Sequence, residues 1–259
     1  MKSNNSELFW LSGASSGIGY AVAEELAKKK ASIIISSRNA NKISDKIGIL
    51  KNLGASSIEL VDLDISEDEA KNTINNTLKG RKLAGVLVNG GAYTGKKLVE
   101  YKYEDFLQSN KNILAGPAQF ILNILPFCEH NNSSIVAITS TSVKEPVGLL
   151  HMSAIYRSGL VVFLKNLAHE IGHTGIRINN VGPGSTATEH IEHLIESSAI
   201  TTNTNAEIIR KNFESRSALN RMADPSEIAK VVTFLFSKDA SFINGQTILV
   251  DGCSTRSYL

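Results

Sequence analysis

The chain has little of what marks a disulfide-rich, metal-binding, membrane or nucleic-acid-binding protein. Two cysteines, Cys128 and Cys253, in 259 residues are too few and too far apart for a disulfide framework or a zinc site. The 27 basic and 25 acidic residues leave a net charge of +2, which provides no basic surface for a nucleic acid. No apolar run approaches the roughly 20 residues of a membrane span, and no signal peptide precedes the first predicted strand. We therefore expect a cytoplasmic protein without a metal site and without a nucleic-acid or membrane partner.

Short apolar segments alternate with amphipathic stretches along the whole chain, and this alternation predicts a parallel sheet. The predicted strands are 8–11, 32–36, 58–61, 85–88, 135–139, 176–181 and 247–250, and the predicted helices are 17–29, 41–52, 67–78, 114–129, 153–170 and 226–236. Because the strands are almost continuously apolar, helices should cover both faces of the sheet. We expect an α/β fold: one Rossmann-type, doubly wound parallel sheet of about seven strands, in a single domain over residues 1–259.

Residues 186–224 interrupt this alternation, because they contain no predicted strand. Two helical patches, 189–196 and 206–213, flank a hinge rich in Ser, Thr and Asn at 197–205. Long connections within a compact domain are usually functional or disordered. The sequence predicts a substrate lid here.

A glycine-rich turn follows the first predicted strand and opens the first helix. Gly13 allows the tight turn, Gly17 lets the backbone approach a pyrophosphate, and Gly19 lets the helix pack closely on the sheet. Free N–H groups and the positive end of the helix dipole would hold the phosphate. The same turn without a ligand is the alternative reading. The other predicted phosphate-binding residues of the turn are Ser15, Ser16 and Ile18.

Three further motifs, together with the Gly-x-x-x-Gly-x-Gly spacing, resemble those of the short-chain dehydrogenase/reductase family. Asp64-Ile65-Ser66 resembles the family's adenine-contacting segment, residues 89–92 stand where the family has Asn-Asn-Ala-Gly, and residues 179–184 resemble the segment around the nicotinamide. The resemblance spans residues 6–253 and is nearest to 3-oxoacyl-carrier-protein reductase-like members. It implies a dinucleotide cofactor bound by Asp64, Ile65, Asn89, Gly90, Gly91, Pro183, Gly184, Thr186 and Thr188.

The end of the second strand decides between the two nicotinamide cofactors. An acidic residue there would bind the ribose 2′-OH of NAD and repel a 2′-phosphate. Ser37 and Arg38 stand there instead, and a hydroxyl and a guanidinium are both good phosphate donors. We expect NADP, with NAD as the alternative cofactor and with Arg38 as an ordinary solvated residue in the alternative reading.

The catalytic motif of the family is altered. A Tyr is expected 13 residues after the catalytic Ser, with a Lys four residues later, but Ser140 is followed by Ser153 and Arg157. The resemblance implies that Ser140 polarises a carbonyl and that Arg157 binds the nicotinamide ribose. The Ser153 hydroxyl is a weaker proton donor than a Tyr, and a guanidinium does not relay a proton. The family's Asn position falls on Ile113 when residues are counted without gaps.

Three repairs of this altered site are open. Tyr156, one helical turn from Ser153, would supply a hydroxyl, although it would otherwise simply pack against a neighbouring helix. His151 has an unperturbed pKa suited to proton transfer, but a histidine at this place is more often solvated. A one-residue register slip would make Asn112 the functional Asn. His190 and His193 lie in the lid without the ligand spacing of a metal site.

The sequence thus supports two functions. The first is an NADP-dependent oxidoreductase that interconverts a carbonyl and a secondary alcohol with a small-molecule substrate. The alternative is a nucleotide-binding family member without significant catalysis that acts as a sensor or assembly partner. The resemblance also implies a homodimer or homotetramer built on helices 114–129 and 153–170. Apolar side chains on several faces of these helices agree with this expectation, namely Ile121, Leu125, Val161, Val162 and Phe163.

Overall fold

The sheet determines where every other element lies. The computed structural model describes residues 6–91 and 95–258, and in that part of the chain seven strands pair in parallel in the order β3-β2-β1-β4-β5-β6-β7. The strands are β1 (Leu8–Ser12), β2 (Ser32–Ser37), β3 (Ser57–Asp62), β4 (Gly85–Val88), β5 (Ser134–Ile138), β6 (Arg177–Pro183) and β7 (Thr247–Val250). The predicted α/β fold with a doubly wound parallel sheet is confirmed.

Nine α-helices connect the strands within the described residues. They are α1 (Gly17–Lys28), α2 (Ile47–Asn52), α3 (Ala70–Leu78), α4 (Tyr103–Asn110), α5 (Gly116–Ile124), α6 (His151–Ile171), α7 (Glu189–Thr202), α8 (Ala206–Glu214) and α9 (Pro225–Phe236). Helix α4 was not predicted. The predicted helix 41–52 is a 3₁₀ segment over Ala40–Lys46 followed by α2.

Helices cover both faces of the sheet because successive strand residues point to opposite sides. In β1, Phe9 and Leu11 belong to the core under α1 and α9, whereas Trp10 belongs to the core under α3, α5 and α6. The indole Nε1 of Trp10 donates to Ser36 Oγ at 2.8 Å, so the polar atom of this buried ring is satisfied. The two cores cover the faces of the sheet, and the carboxyl ends of all the strands lie together along one side of it.

The order of the strands places a crevice at that side of the sheet. The chain leaves β1 toward β2 on one side, whereas β4 pairs with the other side of β1. In an open α/β sheet the ligand crevice lies at the carboxyl ends of the strands where the order reverses. Here that point is the gap between the turn after β1 and the segment after β4.

The predicted helix over 114–129 is only partly correct. A π-helical segment, Lys111–Ala115, joins α4 to α5, and a 3₁₀ turn at Leu125–Phe127 follows α5. Cys128 comes next in extended backbone. Its thiol is buried, as predicted, and burial raises the pKa of the Cys128 thiol to about 12, so it is protonated at neutral pH.

The connection between β6 and α9 consists of α7 and α8, which an ion pair between Glu192 and Arg210 joins. The two ends of this connection lie next to each other, because Thr186 and Ala223 form an isolated parallel bridge. The predicted hinge at 197–205 is wrong for its first part, since α7 continues through Thr202. None of the helices in the described ranges is long and apolar enough to span a membrane.

Candidate active site

The glycine-rich turn after β1 has the geometry that its sequence predicts. Gly13 and Gly17 have φ of +58° and +53°, a region that side chains other than glycine rarely adopt. A Cβ on Gly13 would collide with the Asn89 carbonyl oxygen, and a Cβ on Gly17 would lie 3.1 Å from Thr188 Cγ2. The turn therefore lies between the segment that follows β4 and Thr188, the residue just before α7.

The amino end of α1 is open toward the crevice. Ser16 is the N-cap residue, but its side chain makes no capping hydrogen bond, and the first turn of α1 carries no acidic residue. Neither an N-cap side chain nor an acidic residue of the first turn therefore offsets the helix dipole in the described part of the chain. Ser15 and Ile18, also predicted at this site, lie beside Gly17 as half-buried residues, and Gly19 packs against Ala14.

At the end of β2, the Ser37 hydroxyl is buried and has no hydrogen-bond partner in the described part of the chain. Buried polar side chains are normally satisfied, so a ligand atom is a natural partner for this group. Arg38 is exposed next to it. Ser37 pairs in register with Asp62 of β3, but the Asp62 carboxylate accepts from the backbone N–H of Ala40 at 2.7 Å.

Asp64 and Ile65 lie where the resemblance places the adenine contact. The side chain of Asp64 accepts two hydrogen bonds from Ser66, from N–H at 2.9 Å and from the hydroxyl at 2.7 Å. Burial alone would raise the pKa of Asp64, but these hydrogen bonds and the charges of Arg38 and Lys111 outweigh it and hold the pKa below its ordinary value. A Cβ on Gly90 would lie 3.3 Å from Ile65 Cδ1, so Ile65 forms a wall beside the segment after β4.

The segment after β4 contacts the glycine-rich turn on one side and the π-helical segment on the other. Asn89 Nδ2 donates to the Gly13 carbonyl at 2.8 Å. A Cβ on Gly91, which has φ of +80°, would lie 3.2 Å from Ile113 Cγ1. Asn112 instead bonds to Gln108 of α4. The Asn112 carbonyl oxygen lies even nearer to that Cβ position, at 3.1 Å, so the Ile113 side chain and the Asn112 main chain both contact this segment. Residue 92, the last of the motif, lies outside the described residues.

The segment after β6 closes the crevice on its other side. Pro183 is the last residue of β6, and Gly184 N–H donates to the Val250 carbonyl at 3.0 Å. The Thr186 hydroxyl donates to the Gly184 carbonyl, and Thr188 Oγ1 caps α7 by accepting from Ile191 N–H. These contacts hold Thr188 opposite Gly17.

Ser140 lies two residues after the end of β5 and is the N-cap of the 3₁₀ turn Thr141–Val143. Its Oγ accepts from Ser142 N–H at 3.1 Å, which leaves its own O–H proton available to donate. The Ser142 hydroxyl is buried without a partner among the described residues. It is one of four such hydroxyls among the described residues, with those of Tyr20, Ser37 and Thr255, and the sequence does not predict it.

Ser153 and Arg157 are brought together on α6. Arg157 Nε donates to Ser153 Oγ at 3.1 Å. Its Nη1 donates to the Ile138 carbonyl at 2.8 Å, and its Nη2 donates to the carbonyls of Gly90 and Gly91 at 3.4 and 3.1 Å. No carboxylate among the described residues pairs with the guanidinium. Burial lowers the pKa of Arg157 to about 10, which still leaves it cationic at neutral pH.

The other candidate proton donors make fewer hydrogen bonds with the chain than Ser153 and Arg157 do. Tyr156 is half-buried beside Arg157 on α6, and its hydroxyl bonds to none of the described residues. His151 is the first residue of α6. His190 and His193 lie exposed on α7, and no group of metal-ligating side chains occurs in the described ranges.

The comparisons with known proteins define the class to which this fold and site belong. A family model described as "Enoyl-(Acyl carrier protein) reductase" matches residues 13–255. A tropinone reductase homologue of Arabidopsis thaliana is 30% identical over 247 residues, which are 93% of this chain and 90% of the relative. Human dehydrogenase/reductase SDR family member 2 is 28% identical over 255 residues, 95% of this chain and 85% of the relative. The chain belongs to the short-chain dehydrogenase/reductase family, whose matched members here are reductases and dehydrogenases.

Solved structures show the same fold. YwfH, an NADPH-dependent reductase involved in bacilysin biosynthesis, matches with a TM-score of 0.89 and 24% identity over 97% of this chain and 99% of its own. L-sorbose reductase of Gluconobacter frateurii, solved with NADPH and L-sorbose, has a TM-score of 0.90 and 20% identity over 98% of both chains. At these identities the likeness concerns the fold.

Substitution of Gly17 tests whether the turn approaches a ligand. In Gly17→Ala, the Cβ would be strained at positive φ and would intrude between the turn and Thr188, so we expect dinucleotide affinity to fall by at least about tenfold. Gly80→Ala is the matched control, since Gly80 has φ of +85° but no atom within 4 Å of its Cβ position. Both changes should destabilise the fold by more than about 1 kcal/mol. Equal dinucleotide affinity in the two variants, measured by calorimetry, would contradict the assignment.

Proposed function

We propose that the protein is an NADP-dependent oxidoreductase that interconverts a carbonyl and a secondary alcohol. The observation that carries the cofactor choice is the Ser37 hydroxyl at the end of β2, which is buried without a partner among the described residues and has Arg38 beside it. No acidic residue occupies the last position of β2 to repel a 2′-phosphate. A phosphate would satisfy the hydroxyl and give Arg38 a charged hydrogen-bond partner. The NADPH-dependent relatives of similar fold support this choice.

The residues present fit such a cofactor. The open amino end of α1, with Ser15, Ser16 and Ile18, would hold the diphosphate, and Asp64 and Ile65 would flank the adenine. The segments at 89–91 and 183–188 would enclose the nicotinamide half. When bound, the cofactor supplies or accepts the hydride. The free O–H of Ser140 would donate to the substrate oxygen and polarise the carbonyl.

Transfer of the proton is where this chain departs from the Tyr-x-x-x-Lys pattern. We assign Ser153 to the Tyr position and Arg157 to the Lys position. Ser153 Oγ already accepts from Arg157, and an unperturbed serine hydroxyl is too weak an acid for efficient proton transfer near neutral pH. Tyr156, His151 or a water held by Ser140 therefore has to supply the proton if turnover is fast.

The second candidate function is nucleotide binding without significant turnover, as a sensor or assembly partner. The engagement of Arg157 with three main-chain carbonyls favours it, because most donors of this cation bind the chain and only Nε reaches Ser153. In both readings we propose residues 186–224 as a lid over a single domain, since Thr188 at its start already lies against the glycine-rich turn.

Titration with both cofactors tests the first function. NADPH should bind more tightly than NADH, and Arg38→Ala should weaken NADPH by about 1.5–3 kcal/mol, the contribution of a charge-assisted hydrogen bond, while leaving NADH unchanged. Arg81→Ala is a matched control, because Arg81 forms a surface ion pair with Glu59 of β3 and precedes the amino end of β4. A preference of the wild type for NADH in a fluorescence titration would contradict the proposal.

Replacement of the altered motif tests the chemistry. Wild-type turnover of simple aldehydes and ketones should be about 10²–10⁴-fold slower than in family members that keep the Tyr-x-x-x-Lys motif. This factor is what a general acid typically contributes to the rate. At saturating NADPH, Ser153→Tyr combined with Arg157→Lys should raise the rate, whereas Arg157→Lys alone should not. NADPH oxidation against a carbonyl panel provides the measurement.

Single substitutions identify the actual donor in the same assay. Loss of activity in Tyr156→Phe, with activity retained in Ser153→Ala, makes Tyr156 the donor and Ser153 dispensable. Fast wild-type reduction that neither change affects leaves His151 or a water at Ser140 as the donor, and it contradicts the expectation of slow turnover.

We also propose self-association through the outer faces of α5 and α6. Of the five apolar residues used for this expectation, Ile121 lies in the core instead, but Val162 is 60% exposed. Leu122 on α5 and Ile155 on α6 are exposed as well. The outer faces of these two helices therefore carry apolar side chains that the rest of the described chain does not cover. Light scattering at micromolar concentration should show a dimer or tetramer that Val162→Glu dissociates. Ile208→Glu on α8, with 53% exposure, is the control, and a monomeric wild type would contradict the proposal.

A further inference from the structure

Arg157 supplies a positive charge and also forms hydrogen bonds with several parts of the chain. Its guanidinium contacts three chain segments: the end of β5 through the Ile138 carbonyl, the segment after β4 through Gly90 and Gly91, and α6 through Ser153. All three nitrogens of the side chain donate in this arrangement. The acceptors are main-chain carbonyls and one hydroxyl.

A lysine does not make the same set of contacts. A guanidinium presents five donors in a rigid planar fork, whereas an ammonium is a compact charge with three donors at the end of a flexible stem. The three nitrogens of the Arg157 fork reach four acceptors on three chain segments. We expect that the single nitrogen of an ammonium would not reach all four, so that some of these carbonyls would lose their partner.

We propose that Arg157 is a positioning residue that fixes the segment after β4 to the end of β5 and thereby preforms the pocket for the nicotinamide half of the cofactor. The role differs from ribose binding, because the donors of Arg157 go to the chain itself. It also fixes Ser153 as an acceptor, so the serine proton points away from Arg157. The cofactor part of this proposal rests on the proposed NADP binding.

The first test divides the cofactor into its halves. Arg157→Lys should weaken NADPH by at least about tenfold but leave the affinity for 2′,5′-ADP, which lacks the nicotinamide half, within about twofold. Arg177→Lys is the matched control. Arg177 also donates to main-chain carbonyls, those of Ser237 and Ile243, but at the start of β6, away from the crevice. It should leave both affinities unchanged.

The second test needs no ligand. Hydrogen exchange of the free protein should be faster in Arg157→Lys than in the wild type at residues 89–91 and 139–143, and unchanged in β1 and β2. If the wild type binds neither ligand, the proposed function fails while this exchange measurement still decides the role of Arg157.

The outcomes separate the roles. Wild-type NADPH affinity and wild-type exchange in Arg157→Lys would overturn the proposal, because charge alone would then suffice. Equal loss of both ligands with faster exchange throughout the sheet would also overturn it, as general destabilisation. Should Arg157→Lys not fold, the wild-type guanidinium protons decide: slow exchange with hindered rotation in ¹⁵N spectra supports the proposal, and rapid averaging contradicts it.

Discussion

The close approach of β1 and β4 at their carboxyl ends is the contact on which the crevice depends. Ser12 Oγ donates to the Leu87 carbonyl at 3.0 Å and accepts from Asn89 N–H at 3.1 Å, and Asn89 in turn donates to Gly13. Only a residue without a Cβ fits at Gly13. Because β1 and β4 are the pair at which the strand order reverses, these bonds bring the glycine-rich turn and the segment after β4 together.

Much of this arrangement could be predicted because it depends on local signals. Continuous apolar runs gave the strands, and glycines at tight turns gave the positive-φ positions at Gly13 and Gly17. Helix α4 is short, and its apolar residues Tyr103, Phe106 and Leu107 stay exposed while only Ser109 is buried, so the core does not determine it. The Ser/Thr-rich stretch at 197–202 was misjudged as a hinge, whereas the hydroxyls of Thr201 and Thr202 bond to carbonyls four residues earlier within α7, as such residues do inside helices.

Most partners of Arg157 could not be predicted from the sequence. Three of its four acceptors are main-chain carbonyls 19 to 67 residues away along the chain, and every residue has a carbonyl. The sequence showed only that a cation replaces a cation. The structure shows which groups the Arg157 cation binds in this chain. Burying an unpaired cation costs several kcal/mol, and hydrogen bonds of about 1.5–3 kcal/mol each to a charged donor offset that cost.

The two halves of the site therefore differ in how many of their polar groups are already hydrogen-bonded to the chain. The half around Gly17, Ser37 and Asp64 carries free donors and an open helix end, which suit a phosphate-bearing ligand. In the other half, the groups that should move a proton are bonded to each other and to the chain. Ser140 Oγ accepts from Ser142 N–H, and its own proton remains able to donate to a ligand.

Hydrogen exchange of the wild-type protein with and without NADP⁺ tests most directly whether the crevice is a dinucleotide site. We predict slower exchange on binding in four segments: residues 12–19, 37–39, 89–91 and 183–188. The amino ends of the strands, including residues 131–134 and 175–177, should be unaffected. Absence of protection at saturating NADP⁺, or protection confined to the amino ends of the strands, would contradict the assignment.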